Sequence, residues 1–134
     1  MESEMKVATL MPIRNMDRAI KFYTKSLGAK IQYKGEEEMA DNFASLELGG
    51  TEIWLINPEK REKRTLAYTS LLVNDIKSTV GDLKRKGVKF RKAERMGKET
   101  KVDGPIAFES FGASAFFNDT EGNLIMIWQN SPSM

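Results

Sequence analysis

The sequence predicts an α+β fold built from two copies of one βαβββ pattern, the second starting 60 residues after the first. Three observations predict it. Met11, Ile13, Asn15, Met16, Ile20, Tyr23, Gly28 and Ile31 are matched by Leu71, Val73, Asp75, Ile76, Val80, Leu83, Gly87 and Phe90, with a single one-residue gap before the glycine. Each copy shows an apolar strand, an N-cap candidate, a helical stretch and a glycine stop in that order. Each copy also ends on a turn glycine and an apolar strand: Gly50 before Ile53-Trp54-Leu55, and Gly122 before Ile125-Met126-Ile127, at the same offset. Two half-domains that each expose an apolar sheet face must cover it. Joining the two sheets around a shared cavity is one way, and such a cavity is a natural ligand site.

The elements follow in order. Residues 6–13 read as a strand. Asn15 is a plausible N-cap for a helix with Met16, Ile20, Tyr23 and Leu27 at three-to-four spacing, and Gly28 stands where a left-handed C-terminal residue is usual. Residues 29–33 are a strand and 34–42 an acidic loop. Residues 43–48 and 51–57 form a hairpin around Gly49-Gly50. Residues 58–64 (PEKREKR) are the linker, polar and aperiodic. In the second copy 66–73 is a strand, and 76–86 a helix capped by Asn74 or Asp75 and stopped by Gly87. Residues 88–92 are a strand. Residues 93–111 are a long insert, with Gly97, Gly104 and Pro105, of the kind that is often functional. The last hairpin pairs 112–118 with 123–129 across Asp119-Thr120-Glu121-Gly122. We read residues 1–134 as one domain, with module 1 at 5–57, the linker at 58–64 and module 2 at 65–130.

Composition narrows the chemistry. No cysteine occurs in the 134 residues, so there is no disulfide framework, thiolate nucleophile or cysteine metal site. No histidine occurs either, which removes the commonest general base, the commonest zinc or iron ligand and every histidine-based triad. Catalysis would have to use carboxylates, lysine, tyrosine, hydroxyls or a cofactor. The chain has no apolar run near the length of a membrane span, and its first residues are charged and lack an apolar signal segment, so we expect a cytoplasmic protein with no membrane partner. Net charge is +2, but residues 84–101 carry nine basic side chains against Glu94 and Glu99. That stretch reads either as an anion or nucleic-acid patch or as a solvated helix end and loop, and the second is the expectation, because no nucleic-acid motif accompanies the charges.

The closing strands are apolar on both faces, so both faces should be buried. Ile53, Leu55, Ile125 and Ile127 form the face suited to packing under the helices. Trp54, Ile56, Leu124, Met126 and Trp128 form the other, and Ala8, Leu10, Tyr68 and Ser70 fall on that side by the same alternation.

The segment Ile13-Arg14-Asn15-Met16-Asp17-Arg18-Ala19-Ile20-Lys21-Phe22-Tyr23, with Leu27-Gly28 after it, resembles the strand-to-helix signature of the vicinal-oxygen-chelate superfamily: glyoxalase I, the extradiol dioxygenases and the bleomycin-resistance proteins. Asn118-Asp119-Thr120-Glu121-Gly122-Asn123-Leu124-Ile125 resembles that family's last turn, usually Asp-Pro-Asp-Gly-Asn. The resemblance covers nearly the whole chain. It implies two βαβββ modules whose sheets curl into an open barrel around a cavity. In the family's enzymes, inward His, Glu or Gln side chains from the first and last strand of each module hold a divalent metal. Carried over by spacing, those positions fall on Ala8, Trp54, Tyr68 and Met126, none a good ligand for such a cation. The resemblance is therefore to the metal-free branch, whose members sequester small molecules and are commonly homodimers.

Candidate binding residues follow. Trp54 and Trp128 offer flat apolar faces and an N–H donor for an aromatic ligand; equally, they fill the core. Tyr68 stacks or donates a hydrogen bond, or is a core residue with a satisfied hydroxyl. Met126 suits an adaptable apolar pocket, though methionine is more often core. Phe108, Phe111 and Phe116 on or beside the insert close over a ligand or pin the loop to the sheet. Glu52, on the face of Trp54, favours a flat cationic ligand if it lies at a cavity rim; Glu47 shares a face with Phe43 and Ser45. The alternative for both is a solvated edge. Glu47, Glu52, Asp103 and Glu109 could together build a relocated, carboxylate-only metal site, which nothing in their spacing requires. Arg14, at a strand end, meets an anion or only a neighbouring carboxylate.

The expected ligand-binding set is Trp54, Tyr68, Met126, Trp128, Phe43, Glu52, Phe108 and Phe111. No catalytic residue, metal or cofactor is assigned. The expectation is a metal-independent homodimer that sequesters an apolar or aromatic small molecule, cationic in one version, with no nucleic-acid partner. The alternatives are a glyoxalase-like lyase or a dioxygenase with a relocated metal or carboxylate chemistry, and a module that binds another protein.

Overall fold

The computed structural model describes residues 5–61, 69–95 and 97–131. The chain divides into two compact units, Met1–Lys63 and Arg64–Met134. In the first, β1 (Ala8–Pro12) leads to α1 (Met16–Lys21), which runs on as a π-helical turn over Phe22–Ser26. Then come β2 (Lys30–Lys34), a 3₁₀ turn (Glu37–Met39), β3 (Phe43–Leu48) and β4 (Thr51–Ile56). The sheet order is β1-β4-β3-β2, with β1 parallel to β4 and the other pairs antiparallel. In the second unit, β5 (Thr69–Leu72) leads to α2 (Ile76–Arg85), followed by β6 (Lys101–Asp103), β7 (Ile106–Glu109), β8 (Gly112–Asn118) and β9 (Leu124–Asn130). Its order is β5-β9-β8-β7-β6, again with only the first pair parallel. A parallel pair needs a crossover, and the helix supplies it in each unit.

The helix starts are those the sequence predicts. The Asn15 side chain accepts from the Arg18 N–H at 3.0 Å, and Asp75, rather than Asn74, accepts from the Ser78 N–H at 3.2 Å. The helix ends show what the one-residue gap does. In α2 the Val88 N–H donates to Leu83 O and the Gly87 N–H to Lys84 O, a Schellman closure with Gly87 at φ +91°. In the first unit the equivalent bond runs from Ala29 N–H to Tyr23 O, one residue longer, and the π-helical turn absorbs the extra residue. The Thr24 hydroxyl, donating to Ile20 O at 2.7 Å, holds the widened turn. Leu27 is consequently only half-buried; Met16, Ala19 and Tyr23 are the residues that α1 and its extension bury.

The helix-facing side of each sheet is the core. Met11, Ile13, Leu46, Ile53 and Leu55 are buried in the first unit, and Ala115, Phe117, Ile125 and Ile127 in the second, where Ile76, Val80 and Leu83 come from α2. Each of these side chains except the small Ala115 stabilises the fold by about 1.5–3 kcal/mol relative to exposure. The opposite face does not follow the expectation that both are buried. Trp54 is 36% exposed, and Leu124, Met126 and Trp128 are half-buried. Apolar character there does not bring closure, because no helix covers that side within either unit.

The second unit differs from the expected plan in two further ways. The strand expected over 88–92 is one isolated bridge, Phe90 to Phe117. The insert 93–111 contains β6 and β7, a hairpin turning at Gly104 (φ +60°) and Pro105. β7 pairs along β8 and so takes much of the edge that 88–92 would have used.

Candidate functional site

A cavity of about 510 Å³ lies within the second unit. Its floor is the sheet face away from α2: Ser114 and Phe116 from β8, Leu124, Met126 and Trp128 from β9, and Ala107 from β7. Strand alternation places them together, since Ser114 pairs with Trp128 and Phe116 with Met126 while Ala115 and Phe117 turn into the core. Phe111, in the turn between β7 and β8, stacks on Trp128 with ring centroids 5.8 Å apart and planes 29° from parallel. The Trp128 N–H donates to Asn130 Oδ1 at 2.6 Å, which fixes the indole along the strand. The ring lies directly over Gly112. A Cβ there would sit 2.3 Å from Trp128 Cζ2 and 2.6 Å from the Gln129 carbonyl oxygen, so this position has no room for a side chain.

Pro105 and the segment Arg91 to Glu94 complete the lining. Arg91 is held at two points: its backbone N–H donates to Phe116 O at 2.8 Å, and its Nε–H to Asn118 Oδ1 at 2.9 Å. The basic stretch read from the sequence as a solvated loop thus contributes Arg91 and Lys92 to the cavity. The signal for this was alternation: once Phe90 meets core Phe117, Arg91 must turn to the Phe116 side.

The matching face of the first unit is organised differently. Phe43 meets Trp54 edge to face at 5.6 Å and 79°, and Tyr33 lies 6.0 Å from Phe43. The Trp54 N–H donates to Glu52 Oε1 at 2.9 Å. The Ser45 hydroxyl lies 3.3 Å from the same oxygen and 3.2 Å from Gln32 Oε1. One hydroxyl proton cannot serve both oxygens. The consistent assignment turns the Gln32 amide so that its nitrogen donates to Ser45 and Ser45 donates to Glu52. Glu47 accepts from the Gly50 N–H at 2.7 Å and serves the turn.

Of the residues expected to bind a ligand, Met126, Trp128 and Phe111 meet at the second-unit cavity, and Trp54, Phe43 and Glu52 meet on the first-unit sheet. Tyr68 lies outside the described residues. Phe108 turns the other way: it pairs with buried Ala113, and Lys77 Nζ of α2 sits 5.6 Å from its ring centre, so it is not part of the cavity lining. Glu109 accepts from the buried Thr100 hydroxyl at 2.9 Å, and Asp103 pairs with Lys77 at 3.8 Å. Among the described residues no three His, Cys, Asp or Glu side chains gather where they would hold a metal ion. At the positions where the resemblance puts metal ligands, Ala8, Trp54 and Met126 offer an alkyl group, an N–H donor and a soft thioether. That donor set does not fit a divalent cation of the family's kind.

The sequence model of the Glyoxalase/Bleomycin resistance protein/Dioxygenase superfamily matches residues 7–127. Among solved structures, the chain is similar to TnmS3, an antibiotic binding protein from Streptomyces sp. CB03234, at 20% identity and TM-score 0.73, covering 98% of this chain and 99% of that one. It is similar to UcmS2 at 19% identity and TM-score 0.73, covering 95% and 98%. It is also similar to FosX, a genomically encoded fosfomycin resistance protein from Listeria monocytogenes, at 13% identity and TM-score 0.71, covering 99% and 95%. No curated protein sequence matches the chain significantly. At these identities the structural likeness shows the fold, α+β of the glyoxalase/bleomycin-resistance class.

Proposed function

The chain belongs to the Glyoxalase/Bleomycin resistance protein/Dioxygenase superfamily, and from that premise we propose that it is a metal-independent binding protein that sequesters a flat aromatic small molecule. One observation carries this reading: the Trp128 indole, stacked on Phe111 and fixed by Asn130, forms a wall of a 510 Å³ cavity whose other sides include Phe116, Met126 and Leu124. That volume lies in the range of small-molecule sites, and a rigid aromatic wall favours a planar guest at little entropic cost. Met126 adjusts to the outline of the guest. The likeness to TnmS3, an antibiotic binding protein, agrees with a resistance-type role. Homodimer formation, implied by the resemblance, belongs to the same proposal, and sedimentation of the purified protein as a monomer would remove it. No helix among the described residues is long and apolar enough to cross a membrane.

The test is calorimetric titration of dialysed, chelator-treated protein with planar compounds of two and three fused rings. Saturable binding is expected, weakened about tenfold or more by Trp128→Ala, the usual scale for losing a buried aromatic anchor. A series with no binder ends this reading. Binding that appears only with added Ni, Zn, Fe or Mn ends its metal-independent form.

A further inference from the structure

We propose that the second-unit cavity selects flat aromatic ligands that carry an anionic group, a carboxylate, sulfonate or phenolate, and that Arg91 is the residue that reads the charge. This rests on the binding function above and adds to it the ligand's charge class. The argument begins with where charge occurs around the cavity. Its walls are hydrocarbon, aromatic or the small Ser114, and the charged lining residues all come from one short segment: Arg91 and Lys92 against Glu94. Two positive charges and one negative leave +1. These three side chains are exposed, and the apolar wall on one side of them strengthens their field there compared with open water.

Arg91 is also prepared for the task. Its backbone is tied to β8 through Phe116 O at 2.8 Å, beside a side chain that lines the cavity. Its Nε–H is taken by Asn118 Oδ1 at 2.9 Å, and the Asn118 amide in turn donates to Gly122 O at 3.3 Å. The guanidinium plane is thus oriented by a neutral acceptor, and no carboxylate among the described residues pairs with it. A guanidinium held at Nε presents its two terminal nitrogens as a planar fork, the geometry that matches a carboxylate or sulfonate. Restricting the side chain beforehand reduces the ordering cost of binding. Lys92 adds a second, less directional positive charge.

The cationic version of the ligand arose from Glu52. That carboxylate lies in the first unit, where Trp54 and Ser45 already occupy one of its oxygens. At the cavity itself a cation would meet Arg91 and Lys92.

The experiment compares three naphthalene probes of similar size by calorimetry: 2-naphthoate, 2-naphthamide and 2-naphthylmethylammonium, each on the unaltered protein, Arg91→Gln and Trp128→Ala. The expected order on the unaltered protein is naphthoate tightest, by about tenfold over the amide, with the ammonium weakest, on the scale of one charge-assisted hydrogen-bonded pair. Arg91→Gln should remove most of the advantage of naphthoate over the amide, while Trp128→Ala should weaken naphthoate and amide alike and keep their ratio. Raising salt from 50 to 500 mM should weaken naphthoate only, and this comparison on the unaltered protein decides the matter if Arg91→Gln does not fold. Equal affinity for the three probes, or tighter binding of the ammonium, overturns the anion assignment while the binding function stands. Failure of all three probes, together with the wider series of planar compounds, removes both.

Discussion

Trp54 and Trp128 each lie on the last strand of a unit, on the side away from the helix, yet they have different surroundings. Trp54 meets Phe43 edge to face, gives its N–H to Glu52 and stays 36% exposed on a sheet face. Trp128 stacks on Phe111, comes close against the bare Gly112 and walls a cavity. The repeat explains part of the difference. Trp54 stands four residues after its turn glycine, where the second unit has Met126; Trp128 stands six after its own, where the first has Ile56. The insert explains the rest. The β6–β7 hairpin extends the second sheet and supplies Pro105 and Ala107, the turn after it supplies Phe111, and the first sheet ends at β2. A duplicated scaffold supplied two similar faces, and one inserted hairpin made one of them concave.

The largest expected contrast between the units is at their closing turns. Asp119 is buried and accepts from the Glu121 and Asn123 N–H groups and from the Asn123 amide, at 2.8, 2.8 and 2.9 Å. Asp119→Ala strands those donors and should cost about 3 kcal/mol in urea unfolding. Glu47→Ala at the first unit's turn removes one exposed bond and should cost under about 1 kcal/mol. Equal costs would mean the two turns are equally dispensable. Next is Gly112→Ala. The new methyl meets a carbonyl oxygen as well as the indole, so the strand itself must shift, at about 2 kcal/mol and with loss of the Phe111–Trp128 stack. Gly81→Ala, whose nearest neighbour is the Arg85 Nη1 at 3.6 Å, should instead stabilise α2 by about 0.5–1 kcal/mol, and thermal melts of the pair read the contrast.

Smaller in energy, and most direct for function, is the tryptophan pair. Trp128→Ala should reduce affinity for a planar ligand about tenfold, near 1.4 kcal/mol, and Trp54→Phe under about twofold. The reverse ranking in calorimetry would move the site to the first unit. The helix caps should differ least. Asn15→Ala and Asp75→Ala each remove one side-chain bond to a helix N–H and should cost about 1 kcal/mol apiece in urea unfolding. A loss well beyond that at Asn15 would show that the short α1, with its widened end, relies on its cap more than α2 does.

The repeat, the helix caps, the two glycine stops and the core face were legible in the chain, because each rests on local chemistry: a 3.6 or 2.0 period, a side chain that accepts from the next turn, a φ that only glycine adopts freely. Even the one-residue gap was visible before its consequence. Only the structure showed that it becomes a π-helical turn rather than a longer loop, since that depends on which carbonyl the Ala29 N–H reaches. The β6–β7 hairpin was missed because its two strands are short and its turn contains a proline, so pattern and turn chemistry gave no clear signal. Placement of Arg91 against Asn118, of Phe108 against Lys77 and of the Trp128 ring over Gly112 was likewise decided by tertiary structure. A side chain's partner on another strand depends on register and on what the intervening loop brings back, and single-residue preferences carry neither.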